Sequence, residues 1–288
     1  MADRNHRSSE LIRSIRAFKR NQTALIGFAL LSVVFLFCLI GPFIMSYDPT
    51  DQDLRKRYDA PSLKSGHLFG TDSYGRDVLS RVVHGTRISL VLALSAVSIS
   101  AVIGSFIGII VALKGGILDY LATEFVNFLM AFPTLLVGLI MLAVLGSGYN
   151  NLLITLSFVF TYRFIRLSRS FALGIKGKTY IEAARAIGVG DLRIVFRHIL
   201  PNIIGGLVAI GSLWIAAAIL AAAGLSFLGI GIQPPTPSLG NMVRTGMLDI
   251  TIAPWVTMFP GLAILIVVLA FNTVGDGIRD AVDPKLRS

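Results

Sequence analysis

The stretch TYIEAARAIGVGDLRIVFRHILP, residues 179–201, is patterned by local chemistry from end to end. Thr179 and Glu182 have the spacing of a capping box, in which the hydroxyl accepts from the Glu182 amide and the carboxylate reaches back to the Thr179 amide. This predicts a helix from Thr179 to about Ile187. It stops at Gly188, because glycine takes the left-handed conformation of a helix end without a Cβ penalty. Asp191 is placed to cap a second helix, in which Leu192, Val195, Phe196 and Ile199 recur at i, i+3, i+4 and i+7, and Pro201 is expected to close it. Two short helices meeting at a glycine elbow can serve as a peg for a partner protein, as a connector packed on its own bundle, or as a pair lying on a membrane surface. The pattern alone leaves these three open.

Outward from the elbow the chain is apolar on both sides. Of 288 residues, 54% are hydrophobic and 15% charged, and the mean hydropathy is +0.75; soluble domains carry about a quarter charged residues. A bilayer core roughly 30 Å thick takes a helix of about 20 mostly apolar residues. The runs 23–45, 88–113, 121–145 (interrupted by Glu124), 147–162, 203–232 and 255–274 therefore predict an all-α membrane protein with six transmembrane helices. The first run follows a basic segment but is longer than a signal h-region and has no clear small-x-small exit, so it reads as a retained anchor. The fourth is short, and Arg163 and Arg166 are expected to extend it by snorkelling to the headgroups. The fifth is long, and is expected to end near Gly224 and leave 225–232 as a glycine-broken re-entrant or surface segment.

Six spans put both termini on one side, and the positive-inside rule names it. Arg4, Arg7, Arg13, Arg16, Lys19 and Arg20, then Lys114, eight Lys and Arg between Arg163 and Arg197, and three in the tail far outnumber the eight on the other side. Seven of those eight share residues 47–87 with six aspartates. Residues 1–22 are thus read as cytoplasmic, 23–46 as the first transmembrane helix, 47–87 as an extracytoplasmic loop, 88–275 as a core of five transmembrane helices with the cytoplasmic elbow at 178–201, and 276–288 as a cytoplasmic tail. The net charge of +10 flanks apolar runs and does not gather on one soluble domain, which argues against nucleic acid as a partner.

Within the spans, Gly104 and Gly108 form a G-x-x-x-G pair, read as packing inside one chain. Pro133 and Pro260 each remove a backbone donor and predict kinks. Glu124, with Asn127 one turn on, is an acid inside an apolar run. It lies a few residues past Asp119 and reads as a headgroup-level or inter-subunit contact rather than a substrate site. Cys38 reads as a small buried hydrophobe. Residues 172–179 approach a phosphate-binding loop, A-x-x-x-x-G-K-T, but lack its first glycine and a preceding strand, so Lys176 and Lys178 read as positive-inside charges. His6, His67, His84 and His198 are scattered, with no metal-ligand spacing, which argues against a membrane hydrolase. A proton-coupled carrier would place ionisable groups at the midplane and show internal repeats, and neither is evident.

Glu182-Ala183-Ala184, Gly188 and Leu200-Pro201 together resemble the EAA loop of ABC importer permeases, with His198 where the general pattern has isoleucine. The surrounding RHILPN (197–202) resembles the peptide-importer branch. FGTDSYGRDVLSR (69–81), LSFLGIGIQPPTP (225–237) and FNTVGDGIRDAVDP (271–284) resemble the C-type permease subunit of the dipeptide, oligopeptide and nickel group. The resemblance implies a type I ABC importer permease fold in a bacterial inner membrane, with no catalytic site, cofactor or metal in this chain. A B-type permease subunit would complete the pore, two cytoplasmic ATPase subunits would bind ATP and magnesium, and an extracytoplasmic solute-binding protein would deliver the cargo to residues 47–87 and 233–244. It also implies that Tyr180, Ile181, Glu182, Ala183, Ala184, Arg185, Gly188, Leu192 and Pro201 form the ATPase-coupling surface. Di- or oligopeptides are the expected cargo, with nickel chelates, glutathione and opine-like solutes as alternatives within the group.

Overall fold

The structure, a computed structural model, describes residues 21–282. The cytoplasmic placement of residues 1–20, and of 283–288 with the end of the 271–284 block, lies outside the described residues. The described chain is helical apart from loops and one isolated bridge between Thr71 and Asp77. Helix α1 (Gln22–Ile44) starts where the Asn21 side chain accepts from the Ala24 amide. Helix α2 (Val78–Lys114) starts ten residues before the apolar run it carries, because Asp77 caps it and Val78, Val82 and Val83 are buried. The segment expected as loop to residue 87 is therefore loop to residue 77.

The run 121–145 is two helices and not one straight one. Helix α3 (Gly116–Met130) and helix α4 (Thr134–Leu145) meet at 94°. The break sits at Pro133, which lacks the amide needed to continue the helix. Helix α5 (Tyr149–Lys176) runs well past the apolar stretch that announced it. Its arginines do not all snorkel: Arg163 donates from Nη2 to Thr134 Oγ1, and Arg169 makes two bonds to Asp119, at 2.6 and 2.8 Å. Helix α6 (Thr179–Ala186) follows within two residues. Then α7 (Asp191–Ile194), a π turn (Val195–Ile199) and α8 (Leu200–Phe227) form one continuous rod. Helix α9 (Leu239–Leu248) was not foreseen, and α10 (Trp255–Val282) carries Pro260 and outruns its apolar segment.

Against the six expected spans, four described helices are long and apolar enough to cross a membrane, or five with the bent α3–α4 pair taken as one. Helix α5 is long enough, but too polar along its second half to meet that standard. Protein rather than lipid surrounds its apolar face: Leu152, Leu156, Phe160 and Phe164 are fully or almost fully buried. Helix α2 lies along α5 at close range. A Cβ on Gly104 would sit 2.6 Å from Phe164 Cβ, and Gly108 faces Ile165 and Ser168 in the same way. The G-x-x-x-G pair thus packs within the chain, as expected. Ser100 Oγ donates to Ser157 O at 2.7 Å across the same seam; such interhelical bonds contribute about 0.6 kcal/mol on average. Phe164 meets Trp214 of α8 edge to face at 4.5 Å, which joins the third long helix to the pair.

Candidate functional site

The elbow hangs between the ends of two long helices. Helix α5 ends at Lys176, and Lys178 occupies the cap position of α6, its carbonyl accepting from the Ile181 and Glu182 amides at 2.8 and 3.3 Å. Thr179 is therefore the first helical residue, and the predicted capping box does not form: no side chain caps α6. The other end follows the expectation. Gly188 has φ +79°, its amide donates to Arg185 O at 2.9 Å, and the Val189 amide donates to Ala184 O at 3.0 Å. That is the paired bonding of a Schellman motif, which satisfies two carbonyls that would otherwise be orphaned at the helix end. Asp191 likewise proves to be the first residue of α7, with Gly190 at the cap and no side-chain cap bond.

Pro201 does not close the second helix. Its missing amide is absorbed by the π turn, where the Leu200 amide reaches back to Val195 O, and the helix continues into α8. The wider turn also splits the expected apolar stripe. Val195 and Ile199 are buried, while Leu192 and Phe196 face outward at 60% and 58% exposure. On α6, Ile181 and Ala184 are buried at i and i+3 and anchor the helix, leaving Tyr180, Glu182, Ala183 and Arg185 exposed. Ile187, just before the glycine, is 81% exposed. The structure thus brings Tyr180, Glu182, Ala183, Arg185, Gly188 and Leu192 to the surface of one projection. Ile181 and Ala184 brace it from beneath, and Pro201 lies at its root. Residues 172–179, the near-miss phosphate loop, are the last turn of α5 and the start of α6, with Lys176 Nζ donating to Ala112 O.

The far end of the molecule holds a buried polar cluster that spacing alone did not disclose. Asp72 Oδ1 accepts from the Tyr74 and Arg76 amides, and Asp72 Oδ2 accepts from Arg76 Nε at 2.7 Å with Arg81 Nε at 3.7 Å. Arg81 also donates to Pro49 O. Asp77 caps α2 through Oδ2 and accepts through Oδ1 from His67 Nδ1 at 2.9 Å; an ionised carboxylate can only accept, so Nδ1 carries the proton. Tyr47 stacks on His67 at 4.4 Å, and Trp255 Nε1 donates to Thr71 O. Gly70 and Gly75 have positive φ, and at Gly70 a Cβ would lie 2.6 Å from Asp59 O. This cluster clamps residues 47–77 onto the starts of α2 and α10. The signal was present in the D-x-x-G-R-D order of residues 72–77, with Gly70 just before it, but it also fits an exposed turn.

Glu124 and Asn127 are exposed on α3, away from the cluster and the elbow's buried face, and Cys38 is buried.

Residues 104–288 match the family described as binding-protein-dependent transport system inner membrane component, and residues 9–61 match the N-terminal transmembrane domain of oligopeptide transport permease C. The chain is 36% identical over 275 residues to a dipeptide transport system permease protein of Alkalihalophilus pseudofirmus, covering 96% of this chain and 90% of that one. It is 41% identical over 273 residues to a glutathione transport system permease protein of Escherichia coli, covering 94% and 89%. A solved structure of the MetNI methionine ABC transporter shares the fold, with a TM-score of 0.58 at 21% identity over 70% of this chain and 96% of that one. The chain belongs to the inner membrane component family of binding-protein-dependent transport systems, as a multi-pass C-type permease subunit of an ABC importer.

Proposed function

We propose that this chain is half of the pathway of an ATP-driven importer that takes up di- or oligopeptides from an extracytoplasmic binding protein. The carrying observation is the elbow. Its outward groups, Tyr180, Glu182, Ala183, Arg185, Ile187 and Leu192, form a mixed apolar and charged exposed surface, with Tyr180 held beside the His198 ring at 6.3 Å. Exposed apolar residues beside charges on a stiff projection suit a protein cleft better than solvent. In this reading α6 docks in a cytoplasmic ATPase subunit, which binds ATP and magnesium. The small side chain of Ala183 permits close approach, and the Schellman turn at Gly188 passes displacement to the 191–227 rod. Both termini lie on the elbow's side in the cytoplasm, in a bacterial inner membrane. A B-type permease subunit covers the exposed apolar faces of α3 and α4, a second ATPase subunit serves that permease, and the solute-binding protein docks on the clamped residues 47–77 with α9. Relatives that are dipeptide and glutathione transport permeases support a peptide cargo.

The test is uptake by the assembled importer in proteoliposomes, measured beside ATP hydrolysis. Glu182→Lys reverses a charge on the docking face, and Gly188→Pro removes the amide that donates to Arg185 O. Each variant is expected to insert normally yet lose uptake per ATP hydrolysed. Normal uptake in both would end the coupling assignment.

A further inference from the structure

Three arginines recur on α5 at intervals of three, Arg163, Arg166 and Arg169, and all turn toward α3 and the start of α4. One carboxylate meets them. Asp119 is taken up by both Arg169 bonds, while Arg166 finds the sulfur of Met130 at 3.4 Å and Arg163 the hydroxyl of Thr134. Glu124 does not help, since on a helix Asp119, Thr123, Val126 and Met130 share the face toward α5 and Glu124 points away. Between the helices lies a groove of about 250 Å³ lined by Thr123, Asn127, Arg166 and Arg169, with Val126 and Ile165 at its floor. In the groove wall, Thr123 Oγ1 is buried without a hydrogen-bond partner. A buried hydroxyl left unbonded is costly, so it marks a missing partner.

We propose that this groove binds the phosphate of an anionic phospholipid from the leaflet on the elbow's side. The site has surplus positive charge, donors of the right kind and an open side. It sits a few residues above the Gly115–Gly116 turn, at the headgroup level of the bilayer. Basic pockets between membrane helices at that depth hold anionic headgroups. The groove itself adds the other half of the match: Ala122, Val126 and Ile165 line it beside the polar groups, an apolar surface for the start of an acyl chain. A fully soluble anion would leave that surface unused. The inference rests on the proposed topology for the leaflet it names.

The test is native mass spectrometry of the complete importer from nanodiscs of phosphatidylcholine with and without phosphatidylglycerol. Wild type is expected to retain phosphatidylglycerol, and Arg166→Gln to bind it about tenfold more weakly, the loss expected for one charge-assisted hydrogen bond. Thr123→Val, which leaves every charge in place, is expected to weaken it less, and Glu124→Gln not at all. Equal retention by wild type and Arg166→Gln overturns the proposal. So does displacement of a bound anion by a dipeptide but not by phosphatidylglycerol, which would assign the groove to the solute. Lipid retention is read without transport, so this proposal and the elbow's coupling role can fail separately.

Discussion

At the scale of single residues, position in the chain's path decided more than residue type. Gly188 was legible because few residues other than glycine tolerate φ +79°, and the structure places nothing near its missing Cβ, so an alanine there would be strained by its backbone alone. Thr179 and Asp191 are good capping residues that do not cap. The chain leaves α5 and re-enters a helix so soon that Lys178 and Gly190 hold the cap positions first. Asp72 was illegible for the opposite reason, since its value comes from Arg81 and its burial from partners far along the chain. Asp72→Ala strands two buried guanidinium groups, a loss of about 3–5 kcal/mol for a buried pair broken on one side. Thermal unfolding of the purified importer is expected to show a clear drop. The double variant with Arg76→Ala should lose less than the sum of the two single ones, and an additive result would mean that the cluster is not the clamp described.

At the scale of elements, apolar runs marked where helices cross and said little about where they begin or bend. Helix α2 starts early because Asp77 and buried valines extend it beyond its lipid-facing part. The α3–α4 break was legible as a proline, while its 94° angle has no local signal in the sequence. Helix α5 runs to Lys176, well past its apolar run at 147–162, because a helix sheathed by its neighbours can carry arginines that a lipid-facing one cannot. The close seam between α2 and α5 makes a sharp prediction. Gly104→Leu forces side-chain atoms into Phe164 and is expected to cost at least about 1–3 kcal/mol from overpacking, seen as a lower unfolding midpoint. Gly174→Leu, on the same pair of helices but with open space at its Cβ, should leave that midpoint unchanged.

At the scale of the molecule, composition and four sequence blocks sufficed for the class, a helical membrane permease. The two ends of the chain's working surface were legible unequally. The elbow carries its own local signals, while the clamped cap is assembled from residues 47–81 and Trp255, whose partnership no local pattern announces. Exposed apolar side chains on α1, α3 and α4 leave a surface suited to lipid and to another subunit. The most direct measurement is affinity purification of this subunit in mild detergent, with mass spectrometry of whatever accompanies it. The expected companions are a homologous permease and ATPase subunits. Recovery of the chain alone, or with copies of itself, while transport survives reconstitution, would contradict it.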